Sequence, residues 1–269
     1  MSGTLDVAPT ATLFLNSYRR PLPKAASELH AHTPPDEYDF NFVFDVKTLS
    51  SDRVELRPFV PSLHAQPLYD GLVKYPEVEK WLPRNMPKTL HEVLEFAESM
   101  RANSATLMHA VYTDPPGYDT HVTKTADYAF AGVMSFVNAS YDDMTAEPGC
   151  IIILPPFQRT HVLTHAAGTL MHRILDSPAL GGLGLRRCQW FTTTLNNPSK
   201  NAALRLGFEF EGIIRAHRVL PPSKEGVRAG RPGVHHQEGM ARDSWLSSIT
   251  WEEWERAKRE HVAKLMARK

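Results

Sequence analysis

The stretch Glu147-Pro-Gly-Cys-Ile-Ile-Ile-Leu-Pro-Pro-Phe-Gln158-Arg159-Thr160 concentrates groups able to do chemistry, because an apolar run passes through a polar corner directly onto the start of a helical pattern. Such a corner binds anions. The unpaired amides of a first helical turn point at the site, the helix dipole adds positive potential, and Arg159 supplies a fixed charge suited to phosphate. The plainer reading of the same residues is structural, with Thr160 as an N-cap and Arg159 as a solvated charge. Other reactive side chains group less well. Cys150 sits in the apolar run without an activating neighbour, and the chain has no Gly-x-Ser-x-Gly elbow, which disfavours a hydrolase. His30 and His32, and the pair His235-His236, lie in Pro- and Gly-rich segments without an acid or Cys at ligand spacing, so solvated histidines and no metal are expected.

The elements that must position this corner follow from period and punctuation. Val54-Glu-Leu-Arg-Pro-Phe59 alternates as a first strand, and Tyr38 to Phe44 alternates aromatics as a half-buried strand would. Residues 62–82 suit two short helices broken at Tyr75-Pro76. A third helix is capped by Thr89 with Glu92 completing a capping box, and carries one apolar stripe of Leu90, Val93, Leu94, Ala97 and Met100. Residues 107–112 and 128–137 read as strands. Cys150 to Leu154 reads as a strand buried on both faces, ended by Pro155-Pro156. A helix over 161–175 follows, then a strand over 187–195, then a short helix with Asn197 as cap, Pro198 in its first turn and Gly207 as stop. Strands over 208–220 and 243–250 flank a Gly- and Pro-rich loop, and the chain ends in a basic helix from Trp251. The order predicts an α/β fold with one central mixed sheet.

Thirty Lys and Arg against thirty Asp and Glu leave no net charge, which argues against nucleic acid or an anionic membrane as partner. Cys150 and Cys188 alone cannot form a disulfide framework, and no apolar stretch is long enough to span a bilayer, so a soluble cytoplasmic protein is expected. The chain divides into an N-terminal extension, 1–52, and a compact domain, 53–269.

Downstream of the corner comes Asn196-Asn-Pro-Ser199 and, eight residues after the serine, Gly207-Phe208. Together with Glu147-Pro-Gly149 and the helix-opening Gln158-Arg-Thr160, this run resembles the GNAT superfamily of acyl-CoA N-acyltransferases, and within it the branch similar to ribosomal-protein N-terminal acetyltransferases. The resemblance covers about Val54 to Trp254, including the ending Trp251-Glu-Glu-Trp254. It implies a single, mostly antiparallel, twisted sheet flanked by helices. One departure concerns phosphate binding: His161 and Leu163 stand where most of the superfamily has glycines that admit the pyrophosphate to bare backbone. A glycine-poor Gln-Arg-Thr subgroup shares this feature, and Thr164 and Ala166 match its Thr-x-Ala.

The resemblance implies acetyl-CoA as co-substrate, no metal, and direct attack by a primary amine, from a small molecule or a peptide. Glu147 is the implied base, against a surface acid at a strand end. The backbone of Ile152, Ile153 and Leu154 is implied to pair with the pantetheine arm and offer an amide to the thioester oxygen. Gln158, Arg159, Thr160, His161 and Thr164 are implied to hold the pyrophosphate. Asn196 and Ser199 match positions near the pantetheine and leaving sulfur, although both residue types are ordinary caps. Many members place a Tyr acid four residues beyond that serine; here the residue is Ala203, leaving Ser199 or water to protonate the thiolate. Trp81 lines the acceptor wall or belongs to the core. The state is a monomer or homodimer. A competing function is a degenerate fold that binds without transferring an acyl group.

Overall fold

The computed structural model describes residue 17 and residues 24–115, 128–233 and 239–268. One sheet contains β1 (Leu49–Ser50), β2 (Val54–Pro58), β3 (Leu107–Thr113), β4 (Ala129–Ser140), β5 (Thr145–Ile153), β6 (Arg187–Thr193), β7 (Glu209–Val219) and β8 (Ala241–Thr250), in the order β1-β2-β3-β4-β5-β6-β8-β7. Neighbours are antiparallel except β5 and β6, which run parallel. This is the one central mixed sheet that the element order predicts, mostly antiparallel as the resemblance implies.

Successive strand residues face opposite sides, so the sheet carries two cores. Met108, Ala110 and Val133 pack under α1 (Pro61–Lys74) and α2 (Leu90–Arg101), whereas Leu107, Val111, Met134 and Phe136 pack on the side of α3 (Val162–Leu175). In α3 the apolar residues recur at helical spacing, and Val162, Ala166, Leu170 and Ile174 are all fully buried. Gly168 admits the C-terminal helix: a Cβ there would stand 2.5 Å from the sulfur of Met266. That terminal segment starts as α5 (Trp251–Glu253), passes through a π turn at Trp254–Lys258, and continues as α6 (Arg259–Met266). The short helix α4 (Asn197–Arg205) follows β6.

Several local expectations are corrected. Tyr38 to Phe44 forms no strand; its aromatics instead pack directly, Tyr38 edge-on to Phe40 at 4.9 Å and Phe42 stacked on Phe136 at 5.7 Å. Packing without ladder bonds satisfies the same alternation. Leu90, the first residue of the helix, is 36% exposed, and the Glu92 carboxylate accepts from the Lys88 amide rather than closing on Thr89. Thr89 does cap, accepting from the Glu92 amide. The cap of α4 is Asn196, one residue before the expected Asn197, since its Oδ1 accepts from the Ser199 amide at 3.1 Å. Cys150 and Ile151 are only half-buried, for they border a cleft described below.

Candidate active site

The site begins where two parallel strands part. β5 and β6 pair only at Thr145↔Arg187 and Ala146↔Cys188, and Pro148, two residues on, has no amide to continue a ladder. On its other edge β5 stays joined to β4, with Val133↔Ile152 and Gly132↔Ile153 in register and the Leu154 amide bonded to the Ala131 carbonyl at 2.9 Å. Backbone groups alternate direction along a strand. Ile152 and Leu154 therefore spend their amides on β4, and Ile153 directs its amide and carbonyl to the opened edge. The Ile153 carbonyl is taken there by Gln158 Nε2 at 2.8 Å.

Glu147 stands at the point of separation. It is not a surface acid, being 4% exposed. Its Oε1 accepts from the Phe191 amide of β6 at 3.1 Å, and its Oε2 accepts from Asn138 Nδ2 at 2.6 Å. Burial pushes its carboxyl up to about 7, against the two hydrogen bonds and the charges of Arg242 and Arg218, which favour the ionised form. A carboxyl balanced near neutrality exchanges protons readily at that pH. Asn138 reaches it from a bulge: Val137 pairs with Glu147 and Ser140 with Thr145, so β4 carries one extra residue between them, and Asn138 adopts φ 50° there. A second irregularity lies at Cys150, with φ 48°.

Around Glu147 is a cleft of about 490 Å³. It brings together Glu147, Asn196, Ser199 and Trp81, four residues spread over more than a hundred positions of sequence. The Ser199 hydroxyl accepts from the indole of Trp190 at 3.0 Å, which leaves its own proton to donate. Trp81 is half-buried, with Lys80 Nζ 4.6 Å from its ring centre. Cys150 also borders the cleft, but burial pushes its thiol up, so it supplies no thiolate. Arg84, Arg218 and Arg242 complete the wall and were not singled out in the sequence, where each lies in a segment without a motif.

The anion corner lies apart from this cleft. Arg159 adopts φ 61° and is exposed, and the Leu163 and Thr164 amides have no helical partner in the first turn of α3. Thr160 is a local cap, accepting from the Val162 amide at 3.3 Å while donating to the Phe157 carbonyl. The Thr164 hydroxyl accepts from Arg205 Nη1 at 2.9 Å, so α4 brings a second guanidinium to this turn. The His161 ring is held back by Thr113 Oγ1 at 3.0 Å, and burial pushes it down to about 4, so it is neutral at pH 7. What the corner offers an anion is thus backbone amides and two arginines. Among the described residues no group of three or more His, Cys, Asp or Glu could hold a metal, and no helix is long and apolar enough to cross a membrane. His235 and His236 lie outside the described residues.

Residues 53–209 match the model of the acetyltransferase (GNAT) domain. Among solved structures, the chain is similar to a GCN5-related N-acetyltransferase from Brucella melitensis, at TM-score 0.64 and 25% identity over 82% of this chain and 86% of that one. It also shares its fold with Mycobacterium smegmatis RimJ in complex with CoA-disulfide, at TM-score 0.58 and 18% identity over 81% and 93% of the two chains. A third neighbour is the Salmonella typhimurium acetyl transferase that modifies the N-terminal serine of ribosomal protein L7/L12, at TM-score 0.56 and 17% identity over 76% and 99%. No curated protein sequence matches the chain.

Proposed function

Because the chain belongs to the GNAT acetyltransferase family, we propose that it transfers an acetyl group from acetyl-CoA directly to a primary amine, of a small molecule or a peptide, held in the cleft beside Glu147. The observation that carries this reading is the buried Glu147 carboxyl, near neutral in pKa, at the parting of β5 and β6.

The residues present fit the co-substrate. The opened edge of β5 has the unspent Ile153 amide, and the start of α3 has the Leu163 and Thr164 amides between Arg159 and Arg205. Acetyl-CoA, when bound, supplies a thioester carbonyl open to attack by an amine. Glu147 takes the proton of the incoming ammonium on a carboxylate oxygen, leaving the neutral amine required for attack. The Ile153 amide donates to the oxygen on which charge grows. Ser199, its oxygen already occupied by Trp190, gives its proton to the departing sulfur. In place of a glycine loop, the two guanidiniums strengthen anion binding where His161 and Leu163 crowd the backbone.

The test is twofold. Millimolar acetyl-CoA should raise the melting temperature of the protein, and a broad amine panel should yield acetylated product that Glu147→Gln reduces about a hundred-fold. No thermal shift, or equal turnover by the variant, would overturn the reading.

A further inference from the structure

The cleft is charged in one sense. Among the described residues lining it, the cations are Arg84, Arg218 and Arg242 and the sole acid is Glu147, whose two oxygens are bonded to Asn138 and the Phe191 amide and not to an arginine. Arg242 is 6% exposed, and its Nε has no hydrogen-bond partner among the described residues. A buried guanidinium nitrogen without a partner costs free energy unless something else satisfies it. Arg218 stands near enough to disfavour its charge further, since burial first and Arg218 second push Arg242 down to about 10. Arg84, from the segment between α1 and α2, also lines the cleft, with its guanidinium 5.5 Å from the Phe96 ring centre. No carboxylate is paired with any of the three among the described residues.

The geometry points to an acceptor that carries its own anion: a small amine that also bears a carboxylate or phosphate, with the amine at Glu147 and the oxyanion between Arg218, Arg242 and Arg84. This rests on the acetyltransferase reading of the same cleft and narrows its substrate. The arginines do not serve the co-substrate pyrophosphate, because Gln158 to Thr164 line none of this cleft. A polyamine or other purely cationic acceptor would add charge to a wall already carrying three guanidiniums against one carboxyl. An oxyanion instead meets forked donors that bind it in bidentate fashion. A cavity of about 490 Å³ is of the size that encloses a small molecule.

The experiment compares matched acceptors with the full chain: amino acids against their carboxamides, phosphoethanolamine against ethanolamine, and putrescine. Turnover is read by thiol release from acetyl-CoA. The anionic member of a pair should be used with kcat/KM at least ten-fold higher, and Arg218→Gln and Arg84→Gln should each erase most of that preference through KM. Both positions are exposed, which spares the fold the risk of removing buried Arg242. Which pair shows the preference identifies the oxyanion as carboxylate or phosphate. Calorimetric binding of the N-acetylated products, with coenzyme A present, gives a second readout that needs no catalysis. Equal binding of charged and neutral products, or equal use of amides and putrescine, overturns the inference. Absence of turnover in every arm, with charge-selective and Arg218-dependent product binding retained, would instead sink the acetyltransferase reading and leave the anion site standing.

Discussion

Asn138 donates to Glu147 across 2.6 Å from a β-bulge that is one residue out of register with its partner strand. A regular strand would not place a side chain there, because Val137 already faces Glu147 in the ladder. The extra residue aims an amide at a carboxyl that burial would otherwise keep protonated to still higher pH.

Removing that amide should move the pH profile in a predictable sense. Asn138→Gly keeps the positive φ but deletes the bond to the ionised form, so the Glu147 carboxyl rises above about 7. Activity at pH 7 should fall several-fold and recover as pH increases, the acid limb of kcat/KM shifting upward by about one unit, the scale of a lost charge-assisted hydrogen bond. An unshifted limb would show that Glu147 is not the titrating base.

Ser199→Ala should lower kcat about ten-fold or more if the hydroxyl delivers the proton to sulfur. The same change strands the Trp190 indole, which is 2% exposed, and should cost about 1–3 kcal/mol in denaturant unfolding. Thiols with lower pKa need less help in leaving. An acetyl donor activated in this way should therefore be less affected by the substitution.

Arg159→Ala and Arg205→Ala should each weaken acetyl-CoA binding by roughly ten-fold, about 1.4 kcal/mol, while leaving the pH limb set by Glu147 in place. The loss should shrink as salt rises, since exposed charges are screened. Calorimetric titration at two ionic strengths distinguishes this from a defect of folding.

Far from the cleft, Asp176 is 6% exposed and accepts from the Trp254 indole at 2.8 Å, Arg259 Nε at 2.8 Å and His172 Nδ1 at 2.9 Å. Despite its burial, these bonds hold the carboxyl down at about 2, below the usual 3.8. Its contribution to stability is present above pH 3.8 and is lost as pH falls through 2. Asp176→Ala should cost about 3 kcal/mol and detach the terminal helix first, read by hydrogen exchange in α6.

Much of the framework is local and therefore legible in the chain. The Asn cap at the start of α4 and the Gly207 stop at φ 97° are decided within a few residues, the first by the Asn196 side chain accepting from the Ser199 amide and the second by the backbone freedom of glycine. Tyr38 to Phe44 misleads for a related reason. Alternating aromatics record which side chains are buried, and a bent segment packed on Phe136 achieves that without strand pairing.

The sequence by itself determined most of the order of strands and helices, the turn onto α3 at Arg159 and the family to which they belong, because each is written in short-range pattern. The tertiary structure alone decided what the cleft does with its charges. Arg84, Arg218 and Arg242 come from three separate segments, and Glu147 becomes a carboxyl of near-neutral pKa only when burial raises it and Asn138 and the Phe191 amide hold it back. Burial and through-space charge are properties of which segments meet, and no window of residues contains them.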